Sequence, residues 1–266
     1  MIPAIRSEFR KFFTTRLWWG MAIGIFLSGA AFAALFGFLL TGDLAGQGGP
    51  GGVPTGDPTQ IVNTVYVGGL GIGYLLLLTI GVLQIGAEYR HKTISGTFLA
   101  TPRRLRAMMA KVVALLGIGA LYGLISLIGS VGVGAAVLTL RDVDPFPSTA
   151  ILRTLALSLL VLGLWALIGL GIGILIPNQV AALLIGIGVA WIVEPLLGFA
   201  MTFWEFGREN IAQYLPSSAT NAVIDAVQNT PDEVRLEWWA AALVLAAYAA
   251  LLSGFGIWRT TRADIT

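Results

Sequence analysis

Residues 154–203 read TLALSLLVLGLWALIGLGIGILI-PNQ-VAALLIGIGVAWIVEPLLGFAMTF, two long apolar runs joined by three turn-forming residues. About 20 consecutive apolar residues suffice for a helix to cross the hydrocarbon core of a bilayer. Each run exceeds that length, and the whole stretch carries one charge, Glu194. Pro177-Asn178-Gln179 leaves room only for a tight turn. The pattern therefore predicts two antiparallel neighbouring helices that span a membrane.

Four more runs of the same kind flank this hairpin, so the expected spans are 17–40, 61–87, 112–140, 154–176, 180–203 and 239–258. A signal peptide competes for the first, because Ala31-Phe32-Ala33 resembles a cleavage site. Its 24 apolar residues are too many for the short core of a signal peptide, and it reads as a transmembrane helix. Composition agrees: 56% of the 266 residues are hydrophobic, 11% are charged, and the mean hydropathy is +0.84. A water-facing surface needs roughly 25% charged residues. Central charges cost about 2.5–3.5 kcal/mol each to insert, which accounts for their near-exclusion from the runs.

The exclusions are equally direct. With no cysteine and one histidine, His91, the chain lacks the means for thiol chemistry or Cys/His zinc sites. A net charge of +2 offers no case for nucleic acid. An intramembrane enzyme would need paired catalytic groups within a span, and none is present.

Orientation follows from the basic residues. Twelve of the sixteen Lys and Arg lie on the side of the termini, and Arg141, Arg153, Arg208 and Arg235 lie on the other. The positive-inside rule then places both termini in the cytoplasm. Segment 42–60, rich in Gly and Pro, and segment 204–238 become outside connections, the latter expected to hold short interfacial or re-entrant helices broken at Pro216. Trp18, Trp19, Trp204, Trp238, Trp239 and Trp258 fall near span ends, where aromatic belts form.

Three segments carry mechanism. Ile2, Ile5, Phe9, Phe12 and Phe13 recur at helical spacing, with Arg6, Arg10 and Lys11 mainly off that face, so residues 1–16 read as an amphipathic interfacial helix with its cations near anionic lipid. Glu194-Pro195 reads as a pathway group or a helix-end carboxylate ahead of a re-entrant element. Residues 88–111, EYRHKTISGTFLATPRRLRAMMAK, combine an acidic start, a compact apolar face at Ile94 and Phe98, a Thr101 cap with Pro102 opening the next helix, and the basic cluster Arg103, Arg104 and Arg106. Gly69/Gly73, Gly119/Gly123 and Gly169/Gly173 show the small-xxx-small spacing of closely packed helices.

Residues 88–111 resemble the cytoplasmic coupling region of type-2 ABC-transporter permeases, in which E-[YF]-R, a downstream Thr and Leu, and Pro-x-Arg recur. The six-span plan, the amphipathic N-terminus and Tyr214-Leu215-Pro216 in the long outer segment resemble that family over nearly the whole chain. The resemblance implies an all-α integral membrane permease over residues 1–266, with six spans, an interfacial N-terminal helix and a short coupling helix. It implies a second permease subunit, identical or paralogous, and separate ATP-binding-cassette ATPase subunits in a bacterial or archaeal cell membrane. Glu88, Arg90, Thr93, Thr97, Phe98 and Pro102 would couple to the ATPase, and an amphipathic or lipid-like substrate would move outward. ATP and Mg would bind the partner. Consistently, the three lysines follow Arg10, His91 and Ala110, so none can complete a Gly-Lys-Ser/Thr phosphate loop. An ATP-independent secondary transporter or channel is the alternative.

Overall fold

A computed structural model describes residues 1–42, 57–94, 96, 103–226 and 234–262. Thr97, Phe98 and Pro102 lie outside the described residues, as do most of segment 42–60 and residues 227–233. The described chain is helical and without strands: α1 (Ile2–Phe13), α2 (Leu17–Thr41), α3 (Pro58–Val67), α4 (Leu70–Arg90), α5 (Arg104–Leu140), α6 (Ala150–Leu175), α7 (Gln179–Gly188), a π-helical turn (Val189–Val193), α8 (Glu194–Thr202), α9 (Glu205–Asn210), a 3-10 turn (Ala212–Tyr214), α10 (Pro216–Val223) and α11 (Trp238–Arg262). Six helices are long and apolar enough to cross a membrane, with α3–α4 forming one and α7–α8 another.

The helices outrun the apolar runs that announce them. The third begins at Arg104 rather than 112, and Arg103, with extended backbone, takes the capping position expected of Thr101. A hydropathy run stops at the first charge, but backbone hydrogen bonding does not. At 1.5 Å per residue the 37 residues of α5 reach about 55 Å, well beyond the roughly 30 Å hydrocarbon core. The second span begins at Pro58, where the Asp57 side chain accepts from the Thr59 N–H at 3.3 Å, and it breaks at Gly68-Gly69. A methyl group at residue 69 would come within 2.8 Å of the Gly29 Cα, so α2 leaves no room for a side chain there.

The centre of the bundle is α6, packed against α4, α5 and α11. Of the most apolar part of α6, 67% is buried, against 28% for α2 and 22% for the span from Gln179 to Thr202. Glycine makes this possible. A methyl group at Gly81 would run into the Ala166 carbonyl, and one at Gly169 into that of Leu78, so α4 and α6 meet backbone to backbone. One at Gly119 would lie 2.6 Å from the Gly163 Cα, and one at Gly171 would lie 2.5 Å from the Leu252 carbonyl carbon. All three glycine pairs expected from spacing face neighbouring helices. The Asn178 side chain caps α7 by accepting from the Val180 and Ala181 N–H groups, both at 3.1 Å. The tight turn keeps α7 beside α6, although its larger contact is with α4.

The tryptophans sort by position. The six near span ends are all exposed, whereas Trp165, midway along α6, is 2% exposed and stacks on Tyr74 at 4.3 Å between ring centroids.

Replacing Gly81 with Val should cost about 1–3 kcal/mol, because the obstructing atoms are backbone and cannot swing aside. Gly132→Ala, which meets nothing within 4 Å, should be neutral or mildly stabilising. Denaturation of the purified protein in mixed micelles compares the two.

Candidate functional site

Two polar constructions stand out. The first joins α1 to the ends of α4 and α5. Glu8 and Lys11 are one turn apart on α1, Glu88 lies in the last turn of α4, and Lys111 is two turns into α5. Lys11 Nζ donates to Glu8 Oε1 at 2.8 Å and Glu88 Oε1 at 2.6 Å. Lys111 Nζ donates to Glu8 Oε2 and Glu88 Oε1, both at 2.7 Å. The four groups thus form a closed ring of alternating sign with no net charge. Glu8, Glu88 and Lys111 are buried, while the Lys11 side chain is 41% exposed.

Burial works against the charged form of Glu8, but the attraction and hydrogen bonds of Lys111 and Lys11 outweigh it and hold the carboxyl below its usual range. Burial also works against the Lys11 ammonium, and hydrogen bonds to Glu8 and Glu88 overcome it, raising its affinity for the proton. Aromatic packing seats the same helix. Phe9 covers Gly117, where a methyl group would lie 2.7 Å from the ring, and Phe12 meets the edge of Tyr122. The Tyr122 hydroxyl donates to the Trp18 carbonyl at 2.5 Å.

This arrangement corrects two expectations. Lys11 is exposed like Arg6 and Arg10, but its ammonium turns toward Glu8 and Glu88. Glu88 is not on an open surface: it closes an internal ion ring, while Arg90 and Thr93 after it are exposed and Ile94 is buried in the core. Arg103 and Arg106 are exposed, and Arg104 is half-buried. Glu8 was missed altogether, although its position between Ile5, Phe9 and Phe12 put an acid on the apolar face.

The second construction surrounds Glu194. Pro195 has no N–H to offer the Trp191 carbonyl and its ring crowds that position. The helix widens there into a π turn, in which the Glu194 N–H reaches back to the Val189 carbonyl. Glu194 is 5% exposed, and its carboxylate accepts from the backbone N–H of Ser217, the second residue of α10. Leu215, the residue at the capping position, has no oxygen to offer, so Glu194 caps α10 from another helix. Thr220 on α10 accepts from the Trp165 indole at 3.0 Å. Trp165 lies fifteen residues into α6, about 22 Å along its axis, so α10 returns deep into the bundle. Pro195 itself is exposed.

No group of three or more metal-ligating side chains exists among the described residues. No protein-family model matches the sequence, and no curated protein does.

Lys111→Met should destabilise the fold by about 3–5 kcal/mol, since two buried carboxylates lose a partner. Lys11→Met should cost markedly less, because water reaches its ammonium. Equal losses in unfolding experiments would contradict the ring. Glu194→Ala should cost about 1–3 kcal/mol and speed amide hydrogen exchange across α10, and Glu194→Gln, which keeps an acceptor, should restore most of both.

Proposed function

We propose that this chain is the membrane-spanning subunit of an ATP-driven exporter of the type-2 ABC class, working beside a second permease subunit and separate ATPase subunits. The observation that carries the reading is the attachment of α1 to both helices that flank segment 91–103. Glu88 lies in the last turn of one of them, Lys111 two turns into the other, and both are ion-paired to α1. A push on that segment reaches α4, α5 and α1 together, as one lever requires. The chain has no phosphate-binding loop of its own, so the nucleotide and its Mg belong to a partner.

In this reading the N-terminal side faces the cytoplasm, and α1 lies in the interface with Arg6 and Arg10 toward lipid headgroups. Arg90, Thr93, Thr97, Phe98 and Pro102 meet the ATPase, and Glu88 passes the displacement inward. The sparsely buried faces of α2 and of α7–α8 are available to lipid and to the second subunit. The substrate class is amphipathic or lipid-like. An ATP-independent transporter or channel would recruit Glu194, but its carboxylate is committed to the N-terminus of α10, which weakens that alternative.

Co-expression with an ABC ATPase encoded beside this chain should yield a complex whose ATP hydrolysis responds to the permease. Phe98→Ala and Arg90→Ala should reduce that response severalfold while leaving the helical content intact. Unchanged pull-down and hydrolysis in both variants, or cargo transport by the purified chain without any nucleotide-hydrolysing partner, would overturn the proposal.

A further inference from the structure

A cavity of about 580 Å³ opens beside the ion ring, between α1, the start of α2, the last turns of α4 and the start of α7. Phe12, Leu17, Ile80 and Leu83 give it an apolar wall. Its polar side carries Lys11, Thr15, His91 and Thr93 together with three groups that have an atom left unpaired. Glu88, Gln84 and Gln179 all line it, and Glu88 Oε2, Gln84 Oε1 and Gln179 Oε1 are each buried without a hydrogen-bond partner. All three are acceptors. Gln84 and Glu88 are one turn apart on α4, and Gln179 packs over Gly86 between them, where a methyl group would lie 2.9 Å from its Cγ.

Buried acceptors left unpaired cost free energy, and native proteins seldom leave three together. What satisfies them must bring donors. The opposite Gln84 amide atom, Nε2, already donates to Glu8 Oε2 at 3.4 Å, which orients its oxygen. The Lys11 ammonium at the cavity is engaged by Glu8 Oε1 and Glu88 Oε1. Because the four charges of the ring cancel, an added cation meets no net repulsion. A primary ammonium carries three N–H donors and no acceptor, matching three acceptors in number and kind.

We propose that this cavity binds a primary ammonium carried on an apolar body, with the charged head at Glu88, Gln84 and Gln179 and the body against Phe12, Leu17 and Ile80. Two sources share that chemistry, an aminophospholipid headgroup and a soluble lipophilic amine. The inference rests on the cavity alone and stands or falls apart from the exporter reading, because binding is measured without ATP or a partner.

The test uses the full chain in phosphatidylcholine nanodiscs, titrated with 2-(1-naphthyl)ethylammonium and, separately, with its N,N,N-trimethyl analogue, which has the same charge and no N–H. The primary amine should bind saturably and at least about tenfold more tightly than the trimethyl form, as loss of charged hydrogen bonds predicts. Gln179→Leu and Gln84→Leu should each weaken it by about tenfold, with circular dichroism and gel-filtration behaviour unchanged. If adding phosphatidylethanolamine to the discs displaces the amine, the lipid headgroup is the occupant; if the titration is unaffected, a soluble amine is. Equal binding of the two probes, or full affinity in Gln179→Leu, would overturn the proposal and leave the acceptors to water. Should Gln84→Leu misfold through its contact with Glu8, Gln179→Leu and the pair of probes decide the matter.

Discussion

Where Gly81 lies against the Ala166 carbonyl and Gly169 against that of Leu78, two helices touch with nothing between their backbones. In lipid the hydrophobic effect does not draw helices together, because the tails are as apolar as leucine. Close packing has to supply the association, and it needs approach distances that only small residues allow. The rest of the bundle is arranged around this seam. On its other face α6 offers Gly171 to α11, and Gly163 meets Gly119 of α5, so one central helix is gripped from three sides. The helices outside that grip keep broad apolar faces uncovered.

Polar groups obey the complementary constraint. A charge taken from water has to be compensated where it sits, and this chain does so by two devices. The ring of Glu8, Lys11, Glu88 and Lys111 cancels its own charge and joins α1 to two helices far from it in sequence. Glu194 is matched to the N-terminal end of a short helix that lacks a capping side chain of its own. Such pairs are weak sources of stability and strong sources of specificity, since a misplaced helix would strand a buried ion. The first device lies where α4 ends and α5 starts, the second where α10 returns into the bundle, and they fix what the glycine seam leaves undefined: the seat of α1 and the depth of α10.

Much of this was legible beforehand. Six spans, the turn at Pro177 and the packing role of the glycine pairs follow from length and spacing, because lipid permits few alternatives to a continuous helix. Helix ends were less legible. Charges at 103, 104 and 106 end an apolar run without ending a helix, and so Lys111 fell outside the expected span. Thr97, Phe98 and Pro102 keep the roles that resemblance gives them and nothing more.

Lipid as solvent made the number and rough order of the spans a matter of sequence alone, since each helix satisfies its backbone internally and announces itself locally. Which charges meet was decided only in three dimensions. Glu8 and Lys111 are 103 positions apart, and no local pattern encodes that they form an ion pair. Pairing of that kind depends on how neighbouring helices rotate and slide, and that is set by the summed packing of the whole bundle.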